Sequence, residues 1–250
     1  MKTLSYNIQT LIPLISWEHF FFPWKVLPYS DEAQCLKHDA MKFLEDEENL
    51  IEVKCMYDVF QSHICDDDII IGGQRIPFLR QQRPNDDGTC LCISDFISEG
   101  GRVGVFATAV HCGHNNHKPF FDNNVDPYRY LLQLTICDRM AEAAAEQLQR
   151  EVVDAHLLDD EYIIRPAVGY PSIPDMSINF LLNDLCGFDK IGITLTENGM
   201  MQPHSAVSGF IISHPQARYF SVGPVSDEQL SDYAARRGCT LEETKKYIYA

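Results

Sequence analysis

The chain has 250 residues, a formal net charge of −16, 45% hydrophobic and 22% charged residues, which is an ordinary globular composition with enough length for one substantial core. The charge opposes a phosphate backbone and argues against nucleic acid as a partner, while no apolar run approaches the roughly 20 residues that span a bilayer. Nine scattered cysteines, an odd number without a C-x-x-C pair, exclude a disulfide framework or a cysteine-rich zinc site and indicate reduced thiols in the cytoplasm. No linker or charge block divides residues 1–250, so one domain is expected.

The first predicted element is an aromatic segment, LIPLISWEHFFFPW, interrupted by Pro13 and Pro23 and suited to clamping onto a core. Ser30 then caps a helix over DEAQCLKHDAMKFLEDEE, with acids in the first turn and Ala33, Leu36, Ala40, Phe43 and Leu44 at helical spacing. Two short strands are expected around Gly72 and Gly73, followed by strand-like runs in LCISDFI and VGVFATAV separated by the Gly100-Gly101 turn. Strands alternating with turns rather than with helices favour an antiparallel sheet.

His111, Cys112, His114 and His117 gather potential metal ligands in one stretch. Their spacing fits no closed zinc pattern, and Asn115 and Asn116 mark a turn. Asp126-Pro127 starts the longest helix, over 127–155, with Leu131, Leu134, Met140, Ala144, Leu148 and Val152 near one face and Asp138, Arg139 and Glu142 within about a turn of each other. By itself that charged trio reads as surface ion pairing.

The stretch Arg165-Pro166-Ala167-Val168-Gly169-Tyr170-Pro171, with Pro174 close behind, cannot continue a helix and is a shaped loop. Gly169 permits close backbone approach, Arg165 offers a planar fork to a carboxylate, and Tyr170 a flat face with a hydroxyl. A proline-rich surface connection with one solvated arginine is the plainer alternative. A short helix over 177–185 stopped by Gly187, strands over 190–196, 208–213 and 218–222, and two capping boxes, Ser226 with Gln229 and Thr240 with Glu243, complete the pattern.

The RPAVGYP loop followed by LTENGMMQPHSAVSGFIISHPQARYFSVG resembles the S-adenosylmethionine-binding activation domain of cobalamin-dependent methionine synthase. The match is carried by the loop, the L-T-E strand, the serine-glycine segment and the S-H-P turn in the same order. SWEHFFFPW, LRQQ, SDF and DRMAEAAAE extend it over nearly the whole chain. The resemblance implies an α+β fold in which a twisted, largely antiparallel and curved sheet is flanked by helices. It also implies a groove where Arg165 takes the ligand carboxylate, Ala167 and Gly169 contribute backbone groups, Tyr170 and Tyr219 lie beside the adenosyl and cobalamin faces, and Asp138 and Glu142 face the positive end. Ser16 stands where the family usually has an aspartate, so one counter-charge to the ligand's amino group is missing.

No nucleophile motif is present, and the resemblance implies that no catalytic side chain is needed: in that family cobalt is the nucleophile and the sulfonium the leaving group, so the protein would position the methyl. The chain should be one component of a methyltransferase activity rather than a complete enzyme. The expectation is a stand-alone reactivation factor that binds S-adenosylmethionine, meets cobalamin only through the cobalamin-binding module of a separate methionine synthase, and works with flavodoxin or another one-electron donor. An acidic donor should be slowed by repulsion from so acidic a chain unless a local basic patch compensates, for which Arg75, Arg80, Arg83, Arg236, Arg237, Lys245 and Lys246 are the candidates. The alternatives are a ligand-binding protein of the same fold without methyl delivery, and a docking scaffold that has lost the ligand.

Overall fold

The computed structural model describes residues 1–112, 126–155, 158 and 162–248. Its centre is an antiparallel sheet in the order β4-β3-β2-β5-β9-β6, with β1 also paired to β2. The strands are β1 (Lys2–Tyr6), β2 (Ile51–Cys65), β3 (Asp68–Ile71), β4 (Gln74–Pro77), β5 (Arg102–Cys112), β6 (Ile163–Ile164) and β9 (Ala206–Ser213). A separate hairpin pairs β7 (Thr194–Leu195) with β8 (Met201–Gln202). The fold class is therefore the expected one: every strand pairing is antiparallel and helices lie on the sheet.

Both faces of the sheet are buried, because the side chains of β5 alternate between two cores. Phe106, Val110 and Cys112 enter one, together with α1 (Ile8–Leu11), α2 (Trp17–Phe21), α3 (Asp31–Asp46) and α4 (Pro127–Asp154). Val103, Val105, Ala107 and Ala109 enter the other, beneath α5 (Ile178–Cys186). The alanine-rich part of DRMAEAAAE explains how α4 reaches the sheet: Ala141, Ala143, Ala144 and Ala145 are buried, and Thr108 Oγ1 donates to Ala141 O at 3.0 Å. Small side chains allow that approach. The buried stripe of α4 runs through Leu132, Ile136, Met140, Ala144, Leu148 and Val152. Leu131 lies beside it, 41% exposed.

Local signals place the element ends. Ser30 Oγ accepts from Ala33 N at 3.2 Å, and Asp126 Oδ1 accepts from Tyr128 N at 3.0 Å. Gly187 and Gly238 close α5 and α6 (Asp227–Arg237) at φ 70°, a region that favours glycine. Thr240 and Glu243 form the reciprocal box at the start of α7 (Leu241–Ile248). Ser226 accepts from Gln229 N at 3.2 Å, while Gln229 Oε1 is buried without a partner, so only half of that box is made.

Three expected strands are corrected. LCISDFI holds a 3₁₀ turn, Ile93–Phe96, because Asp95 accepts from Cys92 N at 2.8 Å and pairs with Arg80 at 2.7 Å. Another turn, Phe188–Ile191, ends at Gly192 and leaves only β7 of the stretch 190–196. Residues 218–222 are held by single bonds, Val222 N to Pro171 O at 2.8 Å and Gln81 Nε2 to Ser221 O at 2.8 Å, rather than by a ladder. The longest strand, β2, falls in a span for which no element was expected from sequence.

Candidate functional site

The 165–171 loop is an extension of the sheet. After β6 the chain continues antiparallel to β9, with Phe210 N donating to Pro166 O at 3.0 Å, Val168 N to Ser208 O at 2.9 Å, and Ala167 bridging to Gly209. A Cβ on Gly209 would stand 2.2 Å from Pro166 O and 2.8 Å from Ala167 Cα, so only glycine lets the two backbones meet. In this register Ala167 belongs to a non-hydrogen-bonded pair, and its N–H points away from β9. Gly169 then turns the chain at φ +86°, its N–H donating to Ile173 O at 2.8 Å, and a Cβ there would strike Met176 Sδ at 2.6 Å. Gly169 thus shapes the turn, and its amide already has a partner.

The turn presents Arg165 and Tyr170 to α4. Arg165 Nη1 donates to Gln149 Oε1 at 2.6 Å, and Arg165 N donates to Tyr219 Oη at 2.9 Å. Tyr170 O–H donates to Glu142 Oε1. Burial and the neighbouring Glu142 carboxylate push this phenol well above the ordinary tyrosine range. On one side of the Tyr170–Glu142 contact lies a cavity of ≈ 460 Å³ with a floor of Phe106, Val207 and Phe220, walled by Arg165, Ala167, Tyr170 and Tyr219. On the other lies a cavity of ≈ 260 Å³ lined by Ser16, His19, Arg139, Glu142, Glu146 and Arg165. Glu142, Arg165 and Tyr170 border both, so the two form one trough with that hydrogen bond across it.

Of the residues expected to form the site, Ser16, Glu142, Arg165, Ala167, Tyr170 and Tyr219 line this trough. Ser16 Oγ lies 2.6 Å from His19 Nδ1. Asp138 lines neither cavity: its carboxylate accepts from Ser205 Oγ at 2.7 Å and stands 3.8 Å from His204 Nε2, which fastens β9's entry to α4. Sequence reasoning missed Gln149, Glu146, His19 and the apolar floor. The first two carried a signal, since 142, 146 and 149 share one helical face.

The metal hypothesis divides. His114 and His117 lie outside the described residues, and among the described residues no group of three metal-ligating side chains occurs. His111 Nε2 is bound to Ile191 O at 2.8 Å. Five of the seven candidate steering cations have acidic partners within the chain: Arg75 and Arg236 pair with Asp68, Arg80 with Asp67 and Asp95, Arg237 with Asp175, and Lys245 with Asp227. No helix among the described residues is long and apolar enough to cross a membrane.

Fold and groove together define an α+β protein in which an antiparallel sheet carries a trough of charged, aromatic and apolar groups beside a long helix. The family described as vitamin B12 dependent methionine synthase, activation domain, matches residues 7–238, and the chain belongs to it. A crystal structure of the MetH reactivation domain bound to AdoHcy is similar, with a TM-score of 0.87 and 25% identity over 99% of this chain and 89% of that one.

Proposed function

We propose that this chain is a single-domain reactivation factor that binds S-adenosylmethionine in the trough and presents its methyl group to cobalamin carried by a separate methionine synthase. The observation that carries the reading is the arrangement of Arg165, Tyr170 and Glu142 at the junction of both cavities, in a family whose similar structure holds AdoHcy. The residues present fit the ligand. Gln149 engages one nitrogen of Arg165 and leaves the rest of the fork for a carboxylate. Glu142 and Glu146 suit the cationic centres, and the floor of Phe106, Val207 and Phe220 suits an adenosyl group. The larger cavity falls within the roughly 300–1,000 Å³ of small-molecule sites.

Bound there, S-adenosylmethionine supplies an electrophilic methyl to reduced cobalt on the partner. The chain's own contribution is orientation: Arg165 fixes one end, Ala167 offers an N–H, Tyr219 shields an open side, and Glu142 exchanges its Tyr170 hydrogen bond for the ligand's positive charge. Asp138 and Gly169 act through the shape of the helix contact and the turn. The chain would work in the cytoplasm with flavodoxin or another one-electron donor.

Calorimetry with S-adenosylmethionine tests the reading. Arg165→Ala should weaken binding by about 1.5 to 3 kcal/mol, one to two decades in affinity. Ser16→Asp should tighten it by a smaller amount, because a carboxylate is returned to the trough. Absence of both heat and thermal shift at millimolar ligand would reject methyl donation and favour a docking protein of the same fold.

With five of the seven candidate cations paired inside the chain, an acidic donor meets a net charge of −16 with little to offset it. The reactivation rate with such a donor should therefore rise as salt is added from low ionic strength. A steep fall with salt would show that cations guide docking after all.

A further inference from the structure

We infer that Gln149 is a specificity-determining residue of the trough: its neutral side-chain amide holds Arg165 in place without spending the arginine's charge, so that the site selects adenosyl ligands bearing a carboxylate over those without one. The inference rests on the trough being the S-adenosylmethionine site. It starts from how this acidic chain treats its arginines. Arg75, Arg80, Arg129, Arg150, Arg236 and Arg237 each pair with a carboxylate. Arg165 is held differently. Its Nη1 donates to Gln149 Oε1 at 2.6 Å, and no carboxylate among the described residues stands within ion-pairing distance of it, although Glu142 and Glu146 line the smaller cavity with it.

Two tethers fix the arginine. The pairing of β6 with β9 and the bond from Arg165 N to Tyr219 Oη at 2.9 Å set its backbone, and Gln149 sets its tip. Gln149 shares a helical face of α4 with Glu142 and Glu146, and that face meets the 165–171 loop through Glu142 to Tyr170 and Gln149 to Arg165. A guanidinium carries several N–H donors in a rigid plane, and an amide oxygen takes one of them without changing the net charge. The others, with the whole positive charge, remain for a ligand carboxylate, because Arg165 borders both cavities. A carboxylate at position 149 would accept from the same nitrogen and neutralise the fork. A ligand carboxylate would then meet an arginine already paired and a second negative charge beside it. The residue type at 149 thus decides whether the trough reads a carboxylate.

The test is calorimetry with S-adenosylmethionine and with its decarboxylated analogue, which keeps the adenosyl, sulfonium and amino groups and lacks only the carboxylate. The wild type should prefer S-adenosylmethionine by about tenfold or more. Gln149→Met keeps the side chain's length and removes its acceptor, so S-adenosylmethionine affinity should fall about threefold or more while that of the analogue moves by less than about twofold. Gln149→Glu should weaken S-adenosylmethionine by about tenfold or more and leave the analogue bound equally or more tightly. Gln147→Glu places the same charge on α4 at a position that borders neither cavity, and there the preference should stay within about twofold of the wild type. A parallel fall for both ligands in Gln149→Met, as a merely structural role would give, overturns the proposal, and so does a preference in Gln149→Glu no lower than in Gln147→Glu. Equal affinity of the wild type for the two ligands overturns it too, while the site itself stands. A wild type that binds neither ligand would instead count against the proposed function.

Discussion

Gly209→Ala is expected to unseat the 165–171 loop and cost about 3 kcal/mol of stability. The added Cβ would lie 2.2 Å from Pro166 O, a backbone atom that cannot rotate aside. The loop must lift, and both Phe210 N to Pro166 O and Val168 N to Ser208 O are lost. Two such bonds at about 1 kcal/mol each, with about 1 kcal/mol more for overpacking, give that figure. In a chain of this length the melting temperature should fall by about 6–12 °C. The same movement carries Arg165 and Tyr170 away from Glu142 and Gln149, so ligand affinity should fall more than for Arg165→Ala alone. Melting curves, hydrogen exchange at the Val168 and Phe210 amides and calorimetry check it. An unchanged melting temperature with both amides still protected would show that the backbones have room to spare.

The second large effect is expected at Asp68, far from the trough. Its carboxylate is fully buried at the start of β3, where Arg75 and Arg236 both reach it. Arg236 is only 16% exposed and also meets Asp232 and Phe78 O. Asp68→Ala strands that guanidinium in a confined site, at a cost of about 3–5 kcal/mol. Asp232 pairs with the same arginine from the surface at 64% exposure, and its removal should cost about 0.5 kcal/mol or less. Denaturant unfolding of the two variants separates the cases. Equal midpoints would mean that α6 is held by apolar packing, through Leu230 and Tyr233, and not by this charge cluster.

Asp68 also shows why cations cannot be assigned to a docking surface from sequence. Arg75 reaches Asp68 across the β3–β4 hairpin, but Arg236 lies 168 residues further along, and only the seating of α6 beside β4 brings it there. With 36 acidic residues against 20 lysines and arginines, such internal pairing comes easily.

The trough divides in the same way. Its motif-bearing part, Arg165, Ala167, Tyr170 and Glu142, was expected through the resemblance of the RPAVGYP loop and DRMAEAAAE to the family; by residue chemistry alone the loop stood out through Arg165, Gly169 and Tyr170, and Glu142 read as surface ion pairing. The floor was not legible, because Phe106, Val207 and Phe220 look in sequence like any other buried strand residues, and only the stacking of β5, β9 and the 219–221 segment turns them toward one cavity. Asp138 and Gly169 show the converse. Both residue types suit a ligand, yet Ser205 and Ile173 had closer claims on them.

By itself the sequence determined the local decisions: the caps at Ser30, Asp126 and Thr240, the glycine stops at Gly187 and Gly238, and the two-glycine turn between β3 and β4. Those depend on residues within a few positions of one another, whose conformational preferences and hydrogen bonds are set by short-range chemistry. The tertiary structure alone decided which half of each polar group's bonding capacity was left over. It also decided that 93–96 turns rather than extends and that β2 runs for 15 residues, because strand pairing and charge pairing are settled by partners tens of residues away.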